Sequence, residues 1–210
     1  MTSLVLATRS RGKVSEFRAL LAPIHLDVSE MPPDIAVVED GATYLENAVK
    51  KARTVADFTG SAALADDSGI EIDALDGAPG IHSARFLTGS TDEDKCARIL
   101  ELLRGRTIRS ARFVIALVLA DISRVLFVAQ AFVTGQIAAQ MRGTNGFGYD
   151  PIFIPTGLAQ TMAELPTAEK NMLSHRSRAA RALIRYLRYT RDDAAAGESF
   201  GMDGARARSA

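Results

Sequence analysis

The chain has 210 residues, 47% hydrophobic and 24% charged, with 25 Lys and Arg against 25 Asp and Glu for a formal net charge of zero. That size and composition suit one globular domain, or two small lobes around a shared sheet, with a sizeable core. The charge balance argues against long-range attraction to nucleic acid or an anionic membrane, the single cysteine, Cys96, excludes an internal disulfide or thiolate zinc cluster, and no apolar run reaches the roughly 18–20 residues that span a bilayer.

In chain order, residues 4–7 (LVLA) read as a short buried strand and 8–12 (TRSRG) as a polar turn. Val14, Phe17, Leu20 and Leu21 then recur at helical spacing, so a helix follows and stops before Pro23. Strand, polar loop and helix form the usual opening of an α/β domain. The N-terminal apolar stretch is too short for a signal peptide, and its basic residues follow it, so a cytoplasmic protein is expected. A second strand is expected over 25–29, and Pro32 and Pro33 mark a loop. From 43 to about 58 the chain reads as a helix with Leu45, Ala48, Ala52, Val55 and Ala56 on one face and Gly60 ending it. Residues 62–65 read as a strand ending in Asp66-Asp67-Ser68-Gly69, with 70–74 extended, 76–80 turn-rich and a helix from about 92 to 103. Residues 113–120 and 125–133 are apolar, β-branched runs that look like a hairpin, although periodicity alone also permits buried helices. One more strand is expected over 136–140, a glycine-rich loop over 142–149 and a short strand over 151–154. Ser174 is placed to cap a last helix ending near Tyr189. The domain is therefore expected to occupy 1–189, and the Ala-, Gly-, Asp- and Arg-rich segment 190–210 to be a disordered tail.

Four segments carry chemistry. Thr8-Arg9-Ser10-Arg11-Gly12-Lys13 sets hydroxyls, amides and three cations between a strand end and a helix N-terminus, which suits a phosphate. It is equally readable as a basic surface turn. Glu39-Asp40 and Asp66-Asp67 supply carboxylates from two segments, which can jointly hold Mg²⁺ for a triphosphate, with Asp66-Asp67 expected at a sheet edge. A solvated turn with an Asp cap is the plainer alternative. Gly143 to Pro151 (GTNGFGYDP) combines glycines with Phe147 and Tyr149, on which a base can stack, or which can simply cap the core. Lys170 and Ser174-His175-Arg176 offer donors for a purine O6 or a phosphate, or an ordinary capped helix.

Together these segments resemble the inosine triphosphate pyrophosphatase (Ham1-like, non-canonical purine nucleoside-triphosphate pyrophosphatase) family. The resemblance runs in order through LATRSRGKVSE, EDGATYLENAVKKA, ADDSGIEIDALDGAPGIHSARF, GTNGFGYDPIF and AELPTAEKNMLSHRSRA, covering about residues 3–188. It implies an α/β fold with an elongated central mixed sheet flanked by helices, two lobes with a cleft between them, and a homodimer. It also implies Mg²⁺-dependent hydrolysis of ITP, dITP and XTP to the monophosphate and pyrophosphate. By motif position, Thr8, Arg9, Ser10, Arg11, Gly12 and Lys13 would contact the triphosphate, with Lys51 also on phosphate. Glu39 and Asp67 would hold Mg²⁺, with Asp67 also the base and Asp66 supporting. Ser68 would bind substrate, Phe147, Gly148, Tyr149 and Asp150 would surround the base, and Lys170, His175 and Arg176 would complete the nucleoside pocket. No nucleic-acid or membrane partner is implied. Ser10 stands where the family usually has Asn, and Arg9 where Gly is common. The alternatives are a Maf-like pyrophosphatase acting on other modified nucleotides and a catalytically silent nucleotide-binding protein.

Overall fold

The computed structural model describes the backbone of residues 2–203 and the side chains of 2–192. Strand β1 (Ser3–Leu6) runs parallel to β2 (Asp27–Glu30) on one side and β3 (Ala63–Ile72) on the other. β4 (Ser110–Ala120), β5 (Val125–Ile137) and β6 (Phe153–Pro155) continue antiparallel, completing a mixed six-stranded sheet in the order β2-β1-β3-β4-β5-β6. The apolar runs after residue 110 are thus the two arms of a hairpin. Its tip is closed by Asp121, whose Oδ1 accepts the backbone N–H groups of Ser123 and Arg124 at 2.8 Å each.

Helices α1 (Arg11–Leu21) and α5 (His175–Asp203) cover one face of the sheet, and α2 (Tyr44–Thr59) covers the other. The strand period of two decides which residues each face receives. Leu64, Ile115, Leu117 and Leu119 meet Phe17, Leu21 and Leu183, whereas Ala63, Ala65, Ala116 and Val118 meet Ala48, Ala52, Val55 and Ala56. A third cluster at the far end of the long strands joins Ile70, Ile72, Phe113, Val133 and Phe153 to Cys96 and Ile99 of α3 (Asp92–Leu102). β3 is therefore apolar at both ends and polar in the middle, and two lobes share it. Thr43 caps α2 by accepting the Glu46 N–H at 3.1 Å, and Gly60 ends it in the left-handed region.

Several elements differ from the sequence-based expectation. β3 does not stop at Ala65 but runs through Asp66-Asp67-Ser68-Gly69, because β4 pairs with it along its whole length. The carboxylates nevertheless reach an edge. β1 ends opposite Leu64, so beyond that point β3 has lost its neighbour on one side. No separate strand forms over 136–140. β5 continues to Ile137, and Gly135 lets β6 pair closely, since a Cβ there would fall 2.2 Å from the Ile154 carbonyl oxygen. β6 begins at Phe153, after a 3-10 turn over Asp150–Ile152. Helix α4 (Thr167–Leu173) was not anticipated, being only seven residues long. Ser174 does cap α5, its Oγ accepting the Ser177 N–H at 3.1 Å. α5 runs to Asp203, past the expected end near Tyr189, through the helix-favouring run Ala194-Ala195-Ala196. Of the segment expected to be disordered, 204–210 lie outside the described residues.

Candidate active site

Where β1 ends, the two lobes enclose a cavity of about 580 Å³. Its wall includes Thr8, Arg9, Ser10, Lys13, Glu39, Lys51, Asp67, Ser68, Phe147, Gly148, Tyr149, Asp150, His175 and Arg176, drawn from segments far apart in sequence. Ser10 is the N-cap of α1, its Oγ accepting the Lys13 N–H at 3.4 Å, and Thr8 Oγ1 accepts the Ser10 N–H at 3.2 Å. The remaining N-terminal amides of the 11-residue helix α1 and its dipole favour an anion here.

Consecutive residues on β3 point to opposite faces, so Asp66 and Asp67 enter different surroundings. On the α2 face, Asp67 Oδ2 accepts from Asn47 Nδ2 at 3.0 Å, and its Oδ1 accepts the Ser68 N–H at 3.1 Å and lies 3.8 Å from Lys51 Nζ. The Lys51 ammonium also pairs with Glu39 Oε1 at 2.9 Å, and Arg85 pairs with Glu39 Oε2 at 3.2 Å. Burial pushes the Asp67 carboxyl above its ordinary pKa, against the pull of Lys51 and Asn47. Burial also acts to raise Glu39, but Lys51, aided by Lys13 and Arg85, makes the net shift downward. Two carboxylates from separate segments facing one cavity form a hard-oxygen donor set. That fits Mg²⁺, which accepts one or two protein carboxylates and completes its shell with water and phosphate oxygens. Among the described residues no cluster of three or more His, Cys, Asp or Glu side chains converges.

On the α1/α5 face, Asp66 pairs with Lys13 at 2.9 Å and approaches Arg176 Nε at 3.6 Å. Burial opposes ionisation of Asp66, but Lys13 and Arg176 prevail and hold it well below the usual carboxylate range. Glu16 binds Arg176 through Oε2 and Lys170 through Oε1, the latter at 2.7 Å, and Lys170 also bonds Asp150. All six charged side chains of this network are nearly inaccessible except Lys13, which is 17% exposed. Arg176 Nη2 also donates to Ser68 Oγ at 3.1 Å. The Phe147 ring lies beneath both cations, 5.0 Å from Lys170 Nζ and 5.2 Å from Arg176 Cζ. His175 stacks on Phe113 with centroids 4.9 Å apart and planes 14° apart. Burial and the nearby Arg176 push its pKa well below 6.5, so it is neutral, and its buried Nδ1 has no hydrogen-bond partner.

The whole arrangement has counterparts among known proteins. The Ham1 family pattern matches residues 4–186. A dITP/XTP pyrophosphatase of Gloeobacter violaceus is 47% identical over 184 residues, covering 88% of this chain and 93% of that protein. Another from Symbiobacterium thermophilum is 49% identical over 190 residues, covering 87% and 93%. The solved structure of a HAM1 protein from Coxiella burnetii superposes with a TM-score of 0.80 at 38% identity, covering 90% of this chain and all of that one. The chain belongs to the Ham1 family.

Within this Ham1 chain, most of the residues given a role by motif position share one cavity wall, and four do not; Asp40, the other acid of the Glu39-Asp40 pair, is also outside and pairs with Lys50. Asp66 is closed off beneath the wall, and Lys170 is buried in the charge network. Arg11 is exposed and outside the lining. Gly12 makes room: a Cβ there would fall 2.5 Å from the Phe147 ring. Tyr149, expected to stack on a base, donates its hydroxyl to the Ser83 carbonyl at 2.8 Å and is 5% exposed, so most of its ring supports the loop. Sequence reasoning missed Glu16 and Asn47. Each had a signal: a charged or amide side chain one helical turn from a singled-out lysine, Glu16 after Lys13 and Asn47 before Lys51.

Proposed function

We propose that this protein is a Mg²⁺-dependent nucleoside-triphosphate pyrophosphatase that converts dITP, ITP and XTP to the monophosphate and pyrophosphate. It would thereby keep deaminated purines out of nucleic acid, acting in the cytoplasm as a homodimer. The observation that carries this reading is the joining, in one cavity, of a carboxylate pair and a phosphate-suited helix N-terminus to a wall that carries Phe147, His175 and Arg176. The relatives' names agree with it.

Glu39 and Asp67 would hold the Mg²⁺, which supplies charge neutralisation and alignment of the phosphates. Asp67 would also take the proton of the water that attacks the α-phosphorus. Lys13, Lys51 and the first amides of α1 meet the charge of the departing pyrophosphate. His175 is neutral, and with its proton on Nδ1 it donates to a purine O6. Adenine presents an N6 amine there, which sets donor against donor and leaves buried groups unpaired. For the dimer, support comes from the exposed Val128 and Phe132 on the β5 face beyond the cover of α2.

The test is phosphate release coupled to inorganic pyrophosphatase, with Mg²⁺, across ITP, XTP, dUTP, GTP and ATP. Turnover of ITP and XTP about 100-fold or more above ATP is expected. Phosphate release without the coupling enzyme, or a preference for dUTP, would overturn the reading. Light scattering should give twice the 22.5 kDa chain mass.

A further inference from the structure

Arg9 lies in the phosphate-suited loop, yet its guanidinium is engaged elsewhere. Its Nη2 donates to two backbone carbonyls, those of Pro33 and Ile35, each at 2.6 Å. These belong to the segment between β2 and α2, residues 31–43, which contains neither helix nor strand. That segment lines the cavity with Met31, Ile35 and Val37 and delivers Glu39 to it. Its ends are fixed: the Met31 N–H donates to the Leu6 carbonyl at 3.1 Å, and the Gly41 N–H to Asn47 Oδ1 at 2.8 Å. Between them, among the described residues, the hydrogen bonds that tie this backbone to another element are the two from Arg9. Ile35 is buried and Val37 is partly buried against the same cluster, whereas Val38, next to Glu39, is 68% exposed.

We propose that Arg9 is a positioning residue, clasping the Glu39-bearing segment to the phosphate loop so that anion binding at the loop and cation binding at Glu39 and Asp67 reinforce each other. The proposal rests on the functional reading above. Arg9 adjoins Thr8 and the N-cap Ser10, so a phosphate that settles the loop also settles the clasp, and the clasp sets where Glu39 sits. Coupling of this kind is reciprocal: a cation ordering Glu39 would favour the loop conformation that takes phosphate. Both carbonyls are reached by the two N–H groups of a single nitrogen that the planar guanidinium holds in fixed directions, whereas a lysine ammonium carries its donors on a freely rotating terminus.

The experiment compares wild type, Arg9→Gly and Arg9→Lys in three measurements. Hydrogen exchange of the amides of residues 34–40 should be about tenfold faster in Arg9→Gly, with Arg9→Lys between. Mn²⁺ affinity of the free protein, read by electron paramagnetic resonance, should fall about tenfold, the scale seen when a group supporting a metal ligand is lost. The Mg²⁺ concentration for half-maximal ITP turnover should rise by a similar factor. Unchanged exchange and unchanged Mn²⁺ affinity in Arg9→Gly would overturn the clasp. So would a raised KM with an unaltered Mg²⁺ requirement, which marks Arg9 as a direct phosphate contact. If wild type hydrolyses no triphosphate, the functional reading falls, and exchange with Mn²⁺ binding alone decides for or against the clasp.

Discussion

Asp66 and Asp67 are neighbours in sequence and opposites in condition. Asp67 faces the cavity on the α2 side, is held by an amide and a lysine, and has its proton affinity raised by burial. Asp66 faces α1 and α5, is clamped between Lys13 and Arg176, and has its proton affinity lowered. One is poised to exchange a proton or ligand. The other belongs to a frame in which Glu16, Asp66 and Asp150 balance Lys13, Lys170 and Arg176. The difference shows how a single strand crossing divides a site into a reactive half and a rigid half. The alternating pleat sends adjacent carboxylates to different partners, and the partners set the chemistry.

The reactive half should fail in rate without failing in fold. Asp67→Asn keeps the shape and the Asn47 contact but removes the base, so kcat should fall about 10²–10⁴-fold. The thermal midpoint should hold, and near-normal turnover would break the distinction between the halves.

The frame should fail the other way. Glu16→Gln removes the charge shared by Lys170 and Arg176, and breaking a buried pair of this kind costs about 3–5 kcal/mol. At about 2–4 °C per kcal/mol for a chain of this size, the midpoint should drop by about 6–20 °C. Burial alone would raise the Glu16 pKa, but Arg176 and Lys170 hold it below the ordinary 4.5. The folded state therefore releases this proton more readily than the unfolded chain. The contribution is fully present above about pH 4.5 and is lost as pH falls through the folded-state value. Denaturant unfolding from pH 7 to pH 3 should show the gap between wild type and Glu16→Gln narrowing on the acid side; a constant gap would mean that Glu16 packs but does not ionise.

Gly12→Ala sharpens the boundary between the halves. The new methyl would press on Phe147, which carries two framework cations on its ring, and overpacking of this kind costs about 1–3 kcal/mol. The expected readout is a higher KM for ITP with little change in kcat; the reverse split would place Phe147 in the chemical step. Ser10→Asn should have the smallest effect. Both residues cap helices well, and Asn adds an NH₂ donor toward a phosphate, so kcat/KM on ITP should stay level or rise by at most about 2 kcal/mol of transition-state stabilisation. A tenfold loss, about 1.4 kcal/mol, would show a loop built around the serine cap.

Much of this was legible in the sequence where the signal is local. Thr43 and Gly60 bracket α2, the hairpin arms carry their own β-branched runs, and the motif order gave the family. Thr8, Arg9, Ser10 and Lys13 of the phosphate loop, Lys51, Asp67 and the His175-Arg176 pair do meet. What depended on the other strands was read less well. β3 looked as though it stopped at Ala65 because acids and glycine weaken a strand pattern, but a ten-residue ladder with β4 carries it through.

The sequence by itself determined the principal helices α1, α2, α3 and α5, the Gly60 and Ser174 caps and the chemical groups available, since each follows from residues within a turn or two of one another. Only the tertiary structure decided what those groups became. The end of β1 opposite Leu64 opened the cavity, and Arg176 met Glu16 across 160 residues of chain. Arg9 turned from the phosphate loop to two carbonyls more than twenty residues on. A side chain's charge is written in its own letter, but the solvent it loses and the partner it gains come from whatever the fold packs against it.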